Sequence, residues 1–248
     1  MVNFVGAGCG AVDLITLRGR RLIGEADVII YAGSLVNPEL LGFAKPECEI
    51  HNSAYMTLDE VVSVMENSEK QGKNTVRLHT GDPSLYGAVR EQMDRLSAMG
   101  IAYEVCAGVS SLCGAAASLK AEYTLPDVSQ TVIITRMAGR TAVPEGESIE
   151  KLASHHATMV IFLSTSMLDE LSEKLISGGY SPETPSAIVY KASWADEKIM
   201  RCTVGTLAET ARKFGINKTA LITVGDFLGD DYSLSKLYDP SFETEFRK

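Results

Sequence analysis

The stretch RLHTGDPSLYG, residues 77–87, joins an apolar run, a glycine turn and the beginning of a helical pattern. We interpret its first part as a buried strand, with Pro83 and Ser84 opening a helix, because both residues are favoured where helices begin. Asp82 then lies at the carboxyl end of a strand, the edge at which open α/β sheets bind ligands. Asp-Pro is also a common turn dipeptide, so an ordinary turn explains the same residues.

The N-terminal stretch VNFVGAGCGAVD, residues 2–13, has the same order of strand and glycine turn. Gly6, Gly8 and Ala11 match the G-x-G-x-x-A fingerprint of dinucleotide-binding turns. Such sites also need an acidic residue at the end of the second strand, to bind the ribose. The second strand here, DVIIYAG at residues 27–33, ends without one. The glycines therefore favour a tight strand-to-helix turn, and a nicotinamide-dependent oxidoreductase is kept as an alternative.

A third turn of this kind lies in AGVSSLCGAAA, residues 107–117. Strand and helix patterns alternate through the first half, which predicts a mostly parallel sheet with helices on both faces. The polar stretch LPDVSQ, residues 125–130, predicts a boundary between domains at 1–125 and 126–248. Strands outnumber helices in the second half, and the short SWADE segment between two strands predicts a hairpin. We therefore expect an α/β protein with an N-terminal mostly parallel sheet and a C-terminal mixed sheet.

Composition excludes several functional classes. A net charge of -9 over 248 residues disfavours nucleic acid as a partner, because phosphate binding needs a basic surface. No apolar run reaches the length of about 20 residues that spans a membrane. The five cysteines are scattered without a C-x-x-C pair, which favours reduced thiols in the cytoplasm. The four histidines are not spaced as metal ligands, so no metal site is predicted.

Taken together, VGAGCG, RLHTGDPSLYG, AGVSS, VIFLS and VYKASW resemble the tetrapyrrole methylases over nearly the whole chain. This resemblance implies two α/β domains with S-adenosylmethionine in a cleft between them, S-adenosylhomocysteine as product, a tetrapyrrole substrate and a homodimer. Residues 122–145, EYTLPDVSQTVIITRMAGRTAVPE, resemble the branch that methylates precorrin-4, or its cobalt form, at carbon 11. Other readings are another precorrin position, uroporphyrinogen III as substrate, or a non-catalytic binding module with the same fold.

The resemblance also implies site residues. The cofactor contacts carried over are Cys9, Thr80, Gly81, Asp82, Leu85, Tyr86, Ser110, Ser111, Leu163, Ser164, Tyr190, Lys191, Ala192, Thr219, Ala220 and Leu221. The first glycine turn, with Gly8 and Gly10, is expected to line the macrocycle trough. Because the substrate carries carboxylates, we expect basic partners in Arg136, Arg140 and Lys120, with Lys191 as a further candidate. Methyl transfer from a sulfonium needs alignment above all, and no catalytic base is identified in the sequence.

Overall fold

The computed structural model describes residues 1–33, 35–239, 241–243, 245 and 247. The chain forms two compact units, the first made of Met1–Gly114 with Lys191–Asp196 and the second of Ala115–Tyr190 with Glu197–Lys248. The boundary predicted after residue 125 lies later in the chain than this division.

The first unit contains a five-stranded parallel sheet with strand order β3-β2-β4-β1-β5. This confirms the mostly parallel sheet predicted for the N-terminal half. Its elements are β1 (Val2–Gly6), α1 (Leu17–Glu25), β2 (Val28–Tyr31), β3 (Glu49–Asn52), α2 (Leu58–Lys70), β4 (Thr75–His79), α3 (Arg90–Ala98), β5 (Tyr103–Cys106) and α4 (Ser111–Leu119), within which the division falls.

Both faces of this sheet are buried. Val5, Ile29 and Leu78 lie in one apolar cluster, whereas Phe4 and Ile30 belong to another. Adjacent residues of β1 and β2 therefore point into different cores. This two-sided burial explains why the strands appear in the sequence as continuous apolar runs.

The structure corrects the predicted helix start at Pro83 and Ser84. Helix α3 begins at Arg90, because Tyr86 and Ala88 adopt left-handed conformations, with φ of 54° and 48°, that a right-handed helix excludes. The backbone N–H of Ser84 donates instead to the Asp82 carboxylate at 2.8 Å, so Asp82 and Ser84 form a local turn. The segment after Asp82 is thus an irregular loop.

The second unit contains a mixed five-stranded sheet with strand order β6-β7-β10-β8-β9. Strand β6 runs parallel to β7, whereas β10 is antiparallel to β7 and β8, and β8 and β9 form the predicted hairpin. The elements are β6 (Val132–Arg136), α5 (Ile149–Ala153), β7 (Thr158–Phe162), α6 (Leu168–Ser177), β8 (Pro185–Tyr190), β9 (Lys198–Thr203), α7 (Leu207–Phe214) and β10 (Ala220–Val224). None of the helices in the described ranges has the length and hydrophobicity needed to cross a membrane.

We predict that Leu171→Ala lowers the free energy of unfolding by about 2–5 kcal/mol. Leu171 lies on α6, is fully buried in the core of the second unit, and leaves a cavity when it is shortened. Urea denaturation followed by circular dichroism measures the effect. Ile176→Ala is the matched control on the same helix, because Ile176 is 37% exposed. Equal losses in the two variants would contradict the assigned core.

Candidate functional site

The carboxyl ends of β1, β4 and β5 approach one another so closely that only glycine fits. A Cβ on Gly6 would lie 2.6 Å from the Cα of Gly108 and 2.6 Å from the carbonyl oxygen of Gly81. Gly8 and Gly81 also exchange two backbone hydrogen bonds, of 3.2 Å and 2.9 Å. Three loops that are distant in the sequence are therefore packed backbone against backbone.

Asp82 connects two of these loops through its carboxylate. One oxygen accepts from the backbone N–H of Gly108 at 2.8 Å, and the other accepts from the N–H and the hydroxyl of Ser84. Partial burial acts to raise the pKa of Asp82, but these hydrogen bonds outweigh it and hold the pKa below its usual value of 3.8. Asp82 is therefore ionised at neutral pH and positions the loops.

Three backbone amides of the first glycine turn already donate to protein groups, whereas a pyrophosphate cradle needs amides that point at the ligand. The N–H of Ala7 donates to His79, that of Gly8 to Gly81, and that of Ala11 to the Ser193 hydroxyl at 3.0 Å. A short 3-10 turn follows, and α1 begins only at Leu17. The structure thus gives no support to the nicotinamide alternative.

Asp27, the acidic residue of the second strand segment, lies before β2 at the opposite end from the glycine turns. Its carboxylate pairs with the Lys45 ammonium at 2.6 Å and accepts from the N–H of Asn74 at 2.8 Å. These contacts lower its pKa, the hydrogen bond from Lys45 first. Asp27 thus fastens the start of the strand and does not occupy the position of a ribose ligand.

His79 directly precedes the loop of Asp82 and is buried. Burial, and then the charge of Arg77, lowers its pKa to about 3, so the imidazole is neutral at physiological pH. Its ring stacks on Phe4 with 6.2 Å between ring centres. This histidine therefore contributes to packing and does not gain or lose a proton near neutral pH.

The residues of the second unit that were predicted to contact the cofactor lie at one edge of its sheet. Strands β7 and β8 end where β10 begins, because both run antiparallel to it. Leu163 follows β7 with a left-handed φ of 53° and is 61% exposed, and Thr219 precedes β10 with a φ of 58°. Such strained backbone at non-glycine residues is typical of functional sites.

Buried contacts hold this edge in place. The Ser164 hydroxyl is fully buried and accepts from the N–H of Met137 at 2.8 Å, while Thr165 donates to the carbonyl of Ala220 at 3.1 Å. Ala220 pairs with Tyr190 in the sheet, and Leu221 is buried beside it. The side chains of Ser164 and Leu221 thus have structural roles, and we expect the local backbone to make the predicted cofactor contacts here.

The basic residues expected at carboxylates differ in what they already bind. The Arg136 guanidinium donates to the carbonyls of Met137, Thr141 and Ala142 at 2.8–3.1 Å, so it organises its own loop. Arg140 and Lys120 are exposed. The sequence did not indicate that loop carbonyls would occupy Arg136, and its role at the substrate remains a prediction.

Cys9 and the segment Lys191–Ala192 lie within the first unit. Cys9 is buried, with its sulfur 3.3 Å from the Ser193 hydroxyl. The sequence analysis did not assign a role to Ser193 or Trp194, although they are the last two residues of the VYKASW motif. Trp194, the single tryptophan of the chain, was a signal that could have drawn attention to this segment.

Comparison with known proteins identifies the family. Residues 1–208 match the tetrapyrrole (corrin/porphyrin) methylases. The chain is a tetrapyrrole methylase. It is 58% identical to the cobalt-precorrin-4 C(11)-methyltransferase of Methanocaldococcus jannaschii, over the whole chain and 96% of that protein.

Solved structures of the same family resemble the fold. The X-ray structure of a cobalt precorrin-4 methyltransferase matches with a TM-score of 0.90 and 45% identity, over 92% of this chain and 96% of that one. A uroporphyrin-III C-methyl transferase from Thermus thermophilus, complexed with S-adenosylhomocysteine, matches with a TM-score of 0.75 and 25% identity over 92% of each chain.

The loop after β4 suits the polar portion of the methyl donor implied for a tetrapyrrole methylase. The Thr80 hydroxyl is buried, and no described residue provides it with a hydrogen-bond partner. Gly81 adopts a φ of 61°, and a Cβ there would face the backbone of Ser110 at 3.5 Å. A buried polar atom without a partner beside side-chain-free backbone fits a ligand with carboxylate and ammonium groups.

Other predicted cofactor residues flank this loop. Ser110 is buried and its carbonyl accepts from the first turn of α4, which begins at Ser111. Leu85 is half-buried, and Tyr86 is 44% exposed in its left-handed conformation. The structure therefore brings Thr80, Gly81, Asp82 and Ser110 to one edge of the parallel sheet.

Among the described residues, no group of three or more histidine, cysteine, aspartate or glutamate side chains could hold a metal ion.

We predict that Gly108→Ala lowers the free energy of unfolding by about 1–3 kcal/mol. The added Cβ would lie 2.2 Å from the carbonyl oxygen of Gly81 and 2.7 Å from the Cα of Gly6, and backbone cannot yield as a flexible side chain does. Urea denaturation measures the change. Gly146→Ala is the control, because nothing in the described structure lies within 4 Å of a Cβ there. A Gly108 variant as stable as the Gly146 variant would disprove the close packing.

We also predict that Asp82→Asn weakens S-adenosylhomocysteine binding by about tenfold or more, since the amide cannot accept at both of its ends. Isothermal titration calorimetry measures the dissociation constant, with Asp94→Asn, an exposed carboxylate on α3, as control. Because the folded pKa of Asp82 is lowered, its contribution to stability is present above pH 3.8 and is lost as the pH falls through the lowered value. Wild-type affinity in the Asp82 variant would refute the positioning role.

Proposed function

We propose that this chain is an S-adenosylmethionine-dependent methyltransferase that methylates carbon 11 of cobalt-precorrin-4, or of its cobalt-free form. The loop Thr80–Asp82 carries the proposal. Its glycine backbone packs directly on neighbouring backbone, the Asp82 carboxylate accepts from the N–H of Gly108, and the buried Thr80 hydroxyl has no partner among the described residues. The high identity to a cobalt-precorrin-4 C(11)-methyltransferase supports the choice of substrate and of the cobalt form.

The chemistry of methyl transfer agrees with what these residues can do. When bound, S-adenosylmethionine supplies a methyl group on a positively charged sulfur, which an electron-rich ring carbon attacks in line. The protein then has to fix both reactants at a distance of about 3–3.5 Å and to exclude water. Asp82 and the packed glycines supply a rigid platform, whereas His79 is buried and stacks on Phe4.

The substrate carboxylates require local positive charge, because the protein as a whole has a net charge of -9. Arg140 and Lys120 are exposed and are the first partners we propose, and Arg136, which already donates to three carbonyls, stays a further candidate. Arginine suits this role because its planar fork binds both oxygens of a carboxylate.

The proposal also covers the compartment, the oligomeric state and the partners of the enzyme. We propose that it works in the cytoplasm as a homodimer, as the family resemblance implies, and without a nucleic acid partner. The scattered cysteines and the acidic net charge support the compartment and the lack of nucleic acid binding.

The test is the reaction itself. The purified protein is incubated with S-adenosylmethionine and either cobalt-precorrin-4 or precorrin-4, and the product is analysed by mass spectrometry and NMR. We expect the mass of one added methyl group, located at carbon 11. Methylation at another carbon, or of uroporphyrinogen III instead, would reassign the enzyme within the family. Cofactor binding without any methylation would indicate a binding module and overturn the proposal.

A further inference from the structure

The segment Lys191–Asp196, here called the strap, connects β8 to β9 and belongs to the first unit. An ion pair of 2.6 Å between Lys191 and Asp196 closes it, and the N–H of Trp194 donates to the Lys191 carbonyl at 3.0 Å. Lys191 and Ser193 adopt left-handed conformations with φ of 48° and 66°. A six-residue segment with an internal ion pair, an internal hydrogen bond and two left-handed residues holds one defined conformation.

Ser193 attaches the strap to the first glycine turn. Its hydroxyl oxygen accepts from the N–H of Ala11 at 3.0 Å and lies 3.3 Å from the Cys9 sulfur. Gly8, in the same turn, is bonded to Gly81 of the predicted cofactor loop. The position of the strap is therefore coupled through two sets of hydrogen bonds to the loop that contains Asp82.

Trp194 packs directly on the turn that Ser193 fixes. A Cβ on Gly10 would lie 2.1 Å from the indole Cδ1 of Trp194 and 2.8 Å from the carbonyl oxygen of Ala192. On the strap itself, the Lys191 ammonium lies 5.2 Å from the centre of the indole ring. Gly10 thus makes room for an indole that is held in one place.

This indole forms part of the wall of a cleft of about 890 Å³ in the first unit. The volume lies near the upper end of the range for small-molecule sites and leaves room for a large ligand. Val12, Ile15 and Leu17 contribute apolar surface, and Phe43 contributes a second aromatic ring with the Arg20 guanidinium 4.8 Å from its centre.

The charges on the lining do not determine which kind of ligand this cleft binds. The positive charge of Arg20 is offset by the exposed carboxylates of Asp13 and Glu39 on the same lining. Aromatic and aliphatic surface therefore dominates, and aromatic rings favour the flat face of a conjugated ligand.

We infer that Trp194 forms the wall on which the planar ring of the acceptor packs, and that Ser193 is the positioning residue that holds this wall against the first turn. The inference rests on the proposed function, because it takes the acceptor to be a tetrapyrrole. Ser193 acts through Ala11, Cys9 and Trp194 and has no part in the methyl transfer itself.

The test compares Trp194→Ala, Trp194→Phe, Ser193→Ala and Ser193→Gly with the unmodified protein. The measurements are KM and kcat for cobalt-precorrin-4, and the dissociation constant of S-adenosylhomocysteine by calorimetry. We expect Trp194→Ala to raise the KM for the acceptor about tenfold, with a smaller effect for Trp194→Phe, which keeps an aromatic face. In the two Trp194 variants the dissociation constant of S-adenosylhomocysteine should change by less than about twofold.

The serine variants separate the hydroxyl from backbone strain. Glycine tolerates the left-handed conformation of residue 193, so Ser193→Gly keeps the fold and loses only the hydroxyl contacts. Both serine variants should raise the KM for the acceptor. Ser148→Ala, which removes the hydroxyl that caps α5, is the control for a lost serine contact elsewhere and should leave this KM unchanged. Tyr55→Ala, at an 88% exposed tyrosine, is the control for a lost aromatic ring.

Several results would overturn the inference. An unchanged KM in Trp194→Ala, with the unmodified protein active, would remove Trp194 from the acceptor site and leave the proposed function standing. Equal losses of acceptor and S-adenosylhomocysteine binding would assign the cleft to the cofactor. If the unmodified protein methylates no tetrapyrrole, the proposed function fails, and the inference fails with it.

Discussion

The close approach of Gly6, Gly81 and Gly108 is the constraint on which the rest of the site depends. A Cβ added at Gly6 or Gly108 would lie only 2.6 Å or 2.2 Å from the nearest backbone atom, and the Asp82 carboxylate accepts a hydrogen bond across the contact. Three parallel strands thereby end in loops that support one another without side chains. Backbone can then come close to a ligand, as it does in other glycine-rich sites of α/β proteins.

The second unit presents irregular backbone at a strand edge by another device. Glycine is not used there, and Leu163 and Thr219 adopt left-handed conformations despite their side chains. The buried Ser164 and Thr165 hydroxyls and the sheet itself hold these residues in place. Strained backbone of this kind persists only where the surrounding structure fixes its conformation. The apolar core beneath this edge therefore helps to fix Leu163 and Thr219.

A site built for positioning agrees with the electrostatics. His79 is buried and neutral, Asp82 is ionised and fully engaged with the protein, and Asp27 fastens the start of β2. A rigid backbone held by a fixed carboxylate suits a reaction between an activated methyl donor and an electron-rich carbon, which needs alignment above all.

The sequence predicted the elements whose residues are decided locally. Continuous apolar runs identified the buried strands, because both faces of the parallel sheet are covered. The edge strand β3 was missed because Glu49 and His51 give it a polar pattern.

Loop conformations and the hydrogen bonds that the folded chain makes were beyond prediction from local sequence patterns. The late start of α3 follows from the left-handed Tyr86 and Ala88, and neither residue type indicates such a conformation. The bond from Ala11 to Ser193, and the three carbonyls around Arg136, arise only in the folded chain.

A crystal structure of the protein with bound S-adenosylhomocysteine would show which backbone segments hold the ligand. We expect the ligand to contact the backbone of Gly81 and Ser110 and the Thr80 hydroxyl, with the amides of Gly8 and Ala11 still bonded to Gly81 and Ser193. A ligand bound instead to the amides of Gly8–Ala11, with those protein hydrogen bonds broken, would contradict the account.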